Sequence, residues 1–322
     1  MNVKNTTIGL STALLITAGL LLLWPFESQS APPFIDAQAS RLKADVIKLT
    51  NLSKPRSAAH PEAMNEAVAY IASEWNALGF EVEYQAYTVN GIEYKNVLTS
   101  IGPKDAERIV IGAHYDVCGN QPGADDNASG VAGLLELARL YQQNAPKLNY
   151  RIDFVAYALE EPPNFRTENM GSAVHARSLK EAGVKVKQMI CLEMIGYFSD
   201  AEDSQDYPVG LLKWFYPTKG NYIAVIGKLG QIGATEKFKK DMRKGTTLPV
   251  VSLSAPKFIP GVDFSDHLNY WKHGFKALMI TDTAFYRNKN YHKGTDRPET
   301  LNYEKMAEVV KGVYWSLQLM NA

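Results

Sequence analysis

Apolar residues recur at helical spacing over 37–49 and again over 60–78, where Ala67, Ile71, Trp75 and Leu78 share one face before Gly79 ends the run. Between 81 and 101 the pattern changes to that of strands, with Asn90-Gly91 marking a tight turn between 81–88 and 94–101. From there apolar strands and amphipathic helices alternate: strand 108–113, helix 127–143, strand 151–159, helix 172–182 and strand 186–193. Strands 221–229 and 248–253 flank a further helix, and a short helix over 264–272, a strand over 277–281 and a closing helix over 303–320 follow. Short apolar strands joined through helices predict an α/β class, a mostly parallel mixed sheet with helices on both faces. Segment 197–216 follows neither period and is predicted to be a surface loop near the site.

The N-terminus obeys a different rule. No charged residue occurs over 5–26, and 8–24 is almost continuously apolar behind Lys4. A secretory signal carries an apolar run of about 7–15 residues and a spanning helix about 17–25, so this run lies at the border. Segment 1–30 is expected to be an uncleaved single-pass membrane anchor or a cleaved signal; Ser28, Ser30 and Ala31 supply small residues for a cut, and Pro32 and Pro33 crowd it. With Lys4 on the cytoplasmic side, the remainder is expected across the membrane: periplasmic and anchored to the inner membrane, or released there if the segment is cut. Segment 37–322 is expected to be one domain.

Composition narrows the partners. At 322 residues and 46% hydrophobic the chain can bury a substantial core. Its 34 Lys+Arg balance 34 Asp+Glu, which gives no reason to expect nucleic acid and favours a small molecule or peptide. Its two cysteines are Cys118 and Cys191. An exported compartment permits a disulfide between them, and two buried free thiols are equally compatible. Neither is expected to bind metal, because oxygen and nitrogen donors stand nearby.

Open α/β sheets place ligands at the carboxyl ends of their strands. Strand 108–113 runs into His114-Tyr115-Asp116, and in extended chain the side chains at i and i+2 point the same way, so Asp116 can orient His114. An isolated His-x-Asp is more often a surface accident. Asp125-Asp126-Asn127 precedes a helix between Gly123 and Gly130; capping explains one such residue and leaves a carboxylate free to bridge two cations. Strand 151–159 ends in Glu160-Glu161-Pro162, where Pro162 biases Glu161 toward extended backbone and makes the two carboxylates diverge. Alone, that pair reads as a solvated edge. Strand 186–193 ends in Glu193, and Tyr291-His292 precede the last helix. The coincidence of these groups on one sheet edge matches the donor set of zinc, and a carboxylate-rich set suits paired metals about 3.5–4 Å apart.

The stretches GAHYD, PGADDNASGVAGLLELARL, ALEE, MGS, LEMIG, FSDHLNYWKHG and YHKGTDRPETLNYEKMAEVV occur in that order from about Arg56 onward. With them the chain resembles the co-catalytic two-zinc aminopeptidase family that includes bacterial leucyl aminopeptidases, glutamate carboxypeptidase II and the glutaminyl cyclases. The resemblance implies a zinc exopeptidase fold with two zinc ions per chain. Asp126 would bridge them, His114 and Glu193 would complete one site, and His292 and Glu161 the other. Glu160 would be the catalytic base and Asp116 the orienter of His114, with a cis peptide expected at Asp126-Asn127. His267 and Tyr291 fall where some relatives place groups near the substrate, whereas His60, His175 and His273 are expected to be solvated or structural. The implied substrate is a peptide with a free N-terminus, a hydrophobic first residue being a reasonable choice for the family. Two departures stand out: Glu193 stands where relatives often carry aspartate, and loop 162–169 is stiffer than the usual glycine-containing one. The rival readings are a glutaminyl cyclase or carboxypeptidase of the same fold, and a non-catalytic ectodomain that binds a partner.

Overall fold

The computed structural model describes residues 34–320, so the expected anchor or signal over 1–30 lies outside the described residues. Helices α1 (Ala39–Thr50) and α2 (Pro61–Ala77) lead into the hairpin of β1 (Glu83–Val89) and β2 (Ile92–Ile101). Asn90 and Gly91 turn that hairpin with φ of 51° and 81°, the left-handed region that the Asn-Gly signal anticipates. There follow β3 (Arg108–His114), α3 (Gly130–Asn144), β4 (Arg151–Tyr157), α4 (Gly171–Glu181), β5 (Val186–Glu193) and β6 (Ile223–Lys228). The chain continues through α5 (Ile232–Arg243), β7 (Val250–Ala255), α6 (His267–Lys272), β8 (Ala277–Thr281) and α7 (Tyr303–Met320).

The strands form one 8-stranded sheet in the order β1-β2-β4-β3-β5-β8-β6-β7. Its centre, β4-β3-β5-β8, is parallel, with Gly112 opposite Val155 on one side and Cys191 on the other. On the flanks β2 runs antiparallel to β4 and β6 antiparallel to β8, while β7 is parallel to β6. The mixed α/β class is as expected. Alternation along the central strands supplies the two covered faces. Ile109, Ile111, Ile190 and Leu192 pack beneath α1, α2, α3, α5 and α7, while Val110, Met189 and Cys191 face α4 and α6. Because β3, β4, β5 and β8 run the same way, their carboxyl ends fall on one edge.

The predicted helix over 127–143 begins later, at Gly130. Residues 124–129 form an irregular turn in which Asp126 (φ −103°, ψ 94°) and Asn127 (φ −128°, ψ 42°) leave helical geometry, and the peptide between them is cis. Asn127 is the residue that caps: its Oδ1 accepts from Gly130 N at 3.0 Å and Met194 N at 3.0 Å, and its Nδ2 donates to Leu192 O at 2.9 Å. A Cβ on Gly130 would lie 2.3 Å from Asn127 Oδ1 and 2.5 Å from Leu192 O, so only glycine lets the helix approach β5 this closely. Segment 197–216 contains one short 3₁₀ turn, Gly210–Trp214. Both cysteines are free thiols. Among the described residues no helix is long and apolar enough to cross a membrane.

Candidate metal centre

The carboxyl edge gathers His114 from the end of β3, Asp126 from the irregular turn, Glu160 and Glu161 from the exit of β4, Glu193 from the end of β5, and His292 from the loop before α7. The carboxylate of Asp126 divides between two groups. Its Oδ1 lies 3.4 Å from His114 Nε2, which is also 3.3 Å from Glu193 Oε2. Its Oδ2 lies 3.1 Å from His292 Nε2, which is 3.2 Å from Glu161 Oε2. Each imidazole therefore faces an oxygen of Asp126 and one carboxylate of its own.

Neighbours hold these groups in place. His114 Nδ1 pairs with the backbone carbonyl of Asp116 at 3.2 Å, and the Asp116 carboxylate, expected to orient the ring, stands beside it with Oδ1 at 3.4 Å. It also accepts the backbone N–H of Glu160 at 3.0 Å and of Glu161 at 3.1 Å, tying β3 to the glutamate pair. Ser265 Oγ donates to Glu193 Oε2 at 2.6 Å. Asp296 accepts from Asp125 N at 2.9 Å and Asp126 N at 3.1 Å, while the Asp125 side chain accepts from Gly196 N at 2.9 Å and Asn288 Nδ2 at 2.7 Å. Arg56, fully buried, donates to the carbonyls of Leu49 (3.1 Å), Pro122 (2.6 Å) and Gly123 (2.5 Å) and so clamps the entry to the irregular turn. Of these supports only Asp116 was assigned from sequence. Ser265 and Asp296 stand inside the quoted stretches FSDHLNYWKHG and YHKGTDRPETLNYEKMAEVV, yet nothing in their spacing reveals a partner so far away along the chain.

The electrostatics describe a site that calls for positive charge. Burial works against ionising either imidazole, but Glu193 and Glu160 hold His114 well above its usual range, and Asp126 and Glu161 push His292 up to about 11. Burial opposes ionisation of Asp126 too; contacts with both imidazoles keep it well below the usual carboxylate range. Burial and the charge of Asp126 raise Glu161 to about 8. Burial raises Glu160 far above an ordinary glutamate even with His114 nearby, and Glu161 and Glu193 add to the effect. Glu161 Oε1 is a buried atom with no hydrogen-bond partner among the described residues. Buried polar atoms without partners are costly, and divalent cations would supply both the missing partner and the charge. The nitrogen and oxygen donors fit zinc.

The remaining sequence expectations separate cleanly. Tyr291 stacks on His292 with ring centroids 3.8 Å apart and, with Glu193, lines an apolar cavity. His267 is not brought there: it is fully buried, its Nε2 lies 2.8 Å from the Val262 carbonyl, and its ring packs edge-on against Trp271. His267, expected near the substrate, does not line this cavity, because its place at the start of α6 directs the ring into the protein. His175 is structural, buried with Nδ1 2.6 Å from Tyr270 Oη. The cavity encloses about 790 Å³ of non-atom space, mouth included. Its walls include Tyr207, Leu212 and Tyr216 from the aperiodic loop, Ala224 and Ile226 of β6, Leu253 of β7, Met279 of β8 and Phe264.

Fold and site together define a metallopeptidase of α/β architecture, and the comparisons with known proteins agree. A family model described as "Peptidase family M28" matches residues 96–315, and the chain belongs to that family. It is 49% identical over 285 residues to the uncharacterized protein YfbL of Escherichia coli strain K12, covering 86% of this chain and 87% of that one. It is 27% identical over 255 residues to leucine aminopeptidase 1 of Arthroderma otae, covering 76% of this chain and 61% of that relative. The solved structure of LapB from Legionella pneumophila superposes with a TM-score of 0.72 at 24% identity, covering 99% of this chain and 83% of that one. Glutaminyl cyclases also share the fold.

Proposed function

We propose that the protein is a zinc-dependent aminopeptidase that removes large apolar residues from the free N-termini of peptides, using two zinc ions per chain. The observation that carries this reading is the division of Asp126, with one oxygen facing His114 and Glu193 and the other facing His292 and Glu161. Zinc held by these residues would polarise the scissile carbonyl and acidify a water. Glu160 then handles protons. Its backbone is fixed by Asp116 and its carboxyl is buried beside the proposed ligands, so as a carboxylate it can take a proton from the attacking water and return it to the leaving amine. Asp116 keeps the His114 ring in place and aligns Glu160 and Glu161 relative to it.

Two further observations favour this branch of the family. The apolar cavity opens beside Glu193 and Tyr291, where the side chain next to the scissile bond would enter, and its aromatic and aliphatic walls suit Leu, Met or Phe. Leucine aminopeptidase 1, the relative described above, bears a name that agrees. The apolar run over 8–24 supports an exported enzyme, anchored or released. The test is metal analysis of the purified full-length chain together with a substrate panel. We expect two zinc ions, reversible inactivation by chelation, and fastest release of leucine, methionine or phenylalanine from unblocked amides. Cyclisation of N-terminal glutamine would move the protein to the cyclase branch, preference for N-acetylated peptides would move it to the carboxypeptidase branch, and full activity without metal would remove the reading altogether.

A further inference from the structure

We propose that Cys118 is a metal ligand in the His292 site, so that the two metals of this centre sit in chemically unequal cages; the inference rests on the two-metal reading above. Cys118 follows β3 by a few residues and is partly exposed. Its Sγ and one donor atom each from Glu161 and His292 all lie within 4.8 Å of one another, and among the described residues the other such group of three is His114, Asp126 and Glu193. Separations of that order leave room for one cation between three donors. The thiol is not an isolated cysteine near a site. Glu161 is 4% exposed, and its Oε1 is buried with no hydrogen-bond partner among the described residues, so a carboxylate oxygen is held ready in the same cluster. Cys191 offers no alternative: it is fully buried, with its Sγ 3.1 Å from Ser265 Oγ.

The chemistry follows from donor softness. Zinc is borderline soft and accepts a thiolate at about 2.3 Å, whereas magnesium and manganese prefer oxygen. On ligation the Cys118 thiol gives its proton to solvent and the sulfur lone pair to the metal, with no change of oxidation state. The His114 site keeps only nitrogen and oxygen donors. The His292 site then has a soft donor that selects zinc or cadmium over harder ions, and a partly exposed thiol that bulky reagents can reach when the metal is gone.

Cobalt(II) substitution of the full-length chain reads this directly, because a thiolate on cobalt gives an intense near-ultraviolet charge-transfer band that nitrogen and oxygen donors lack. We expect the band to grow with only one of the two bound cobalt ions, and Cys118→Ser to abolish it while the weaker visible bands of the other ion persist. Loss of this donor should also loosen zinc at one site by at least the roughly 10–100-fold seen when a ligand's supporting contact is disturbed. Two bound cobalt ions without the band, or a band that survives in Cys118→Ser, overturn the assignment and leave the two-metal reading standing. A chain that binds no cobalt or zinc overturns both. Should Cys118→Ser fail to fold, titration of the unaltered chain with an aromatic disulfide reagent decides: one thiol reacting in the chelated protein and none in the loaded protein supports ligation, and equal reactivity in both overturns it.

Discussion

The two halves of the centre are built differently. His114 and Glu193 sit at the ends of adjacent parallel strands, and their side chains are 1% and 8% exposed. Asp116 and Ser265 brace them. Glu161 and His292 leave the regular elements: one follows β4, the other sits in a loop with φ of 54° and a side chain 27% exposed. A site on sheet ends is held by the packing of the whole core, whereas a loop site is held by local hydrogen bonds and opens at lower cost. With a zinc ion in each half, as proposed, the inner one should be retained when the outer one exchanges.

The change that removes the comparison altogether is at the shared residue. Asp126→Ala should empty both sites and take hydrolysis to the background rate, read by elemental analysis and peptide turnover; a variant that keeps two zinc ions would show that Asp126 is not shared. Glu160→Gln comes next. It should keep both metals and an unchanged melting temperature while losing about 10²–10⁴-fold or more in turnover, since one residue handles both proton transfers. Loss of a metal in this variant would instead make Glu160 a ligand.

Removing one imidazole at a time separates the halves by stability. In chelated protein His114→Ala removes the imidazole that Asp126 and Glu193 share; breaking a buried ion pair costs about 3–5 kcal/mol, an upper bound here because Asp126 keeps His292 and Glu193 keeps Ser265. His292→Ala acts at a partly exposed position and should cost clearly less in urea unfolding, while losing one zinc and retaining the other. Equal losses would mean that the strand ends confer no advantage.

The smallest effect is the pH dependence of the metal-free protein. Folding raises Glu161 from 4.5 to about 8 and Asp296 from 3.8 to about 7, each chiefly through burial, so the folded state holds more protons than the unfolded one in between. Their contribution to stability is complete below the unfolded values and is lost as pH rises through about 7–8. The urea midpoint of chelated protein should accordingly be lower at pH 9 than at pH 6. Zinc bound by Glu161 would need that carboxylate deprotonated, so the stabilisation gained from added metal should grow as pH rises toward about 8. A chelated protein that becomes more stable toward pH 9 would contradict the assigned burial of Glu161 and Asp296.

What the sequence by itself determined was local. The hairpin at Asn90-Gly91, the alternation of strands and helices, and the placing of His114, Glu160, Glu161 and Glu193 at strand ends are written in runs of a few residues. Periodicity and side-chain chemistry act there without reference to the rest of the chain. The family resemblance then paired Asp126 with both histidines. Tertiary structure decided whatever depends on segments meeting. It placed β8 between β5 and β6, reversed β6 and β7 relative to the centre, and turned His267 inward. It also gave Asp116 the amides of Glu160 and Glu161 and set Cys118 beside Glu161 and His292. Contacts of this kind join residues as far apart in sequence as Asp125 and Asp296, 171 positions, and their geometry is fixed by how helices and strands pack on a shared core, a long-range property that no short run of sequence carries.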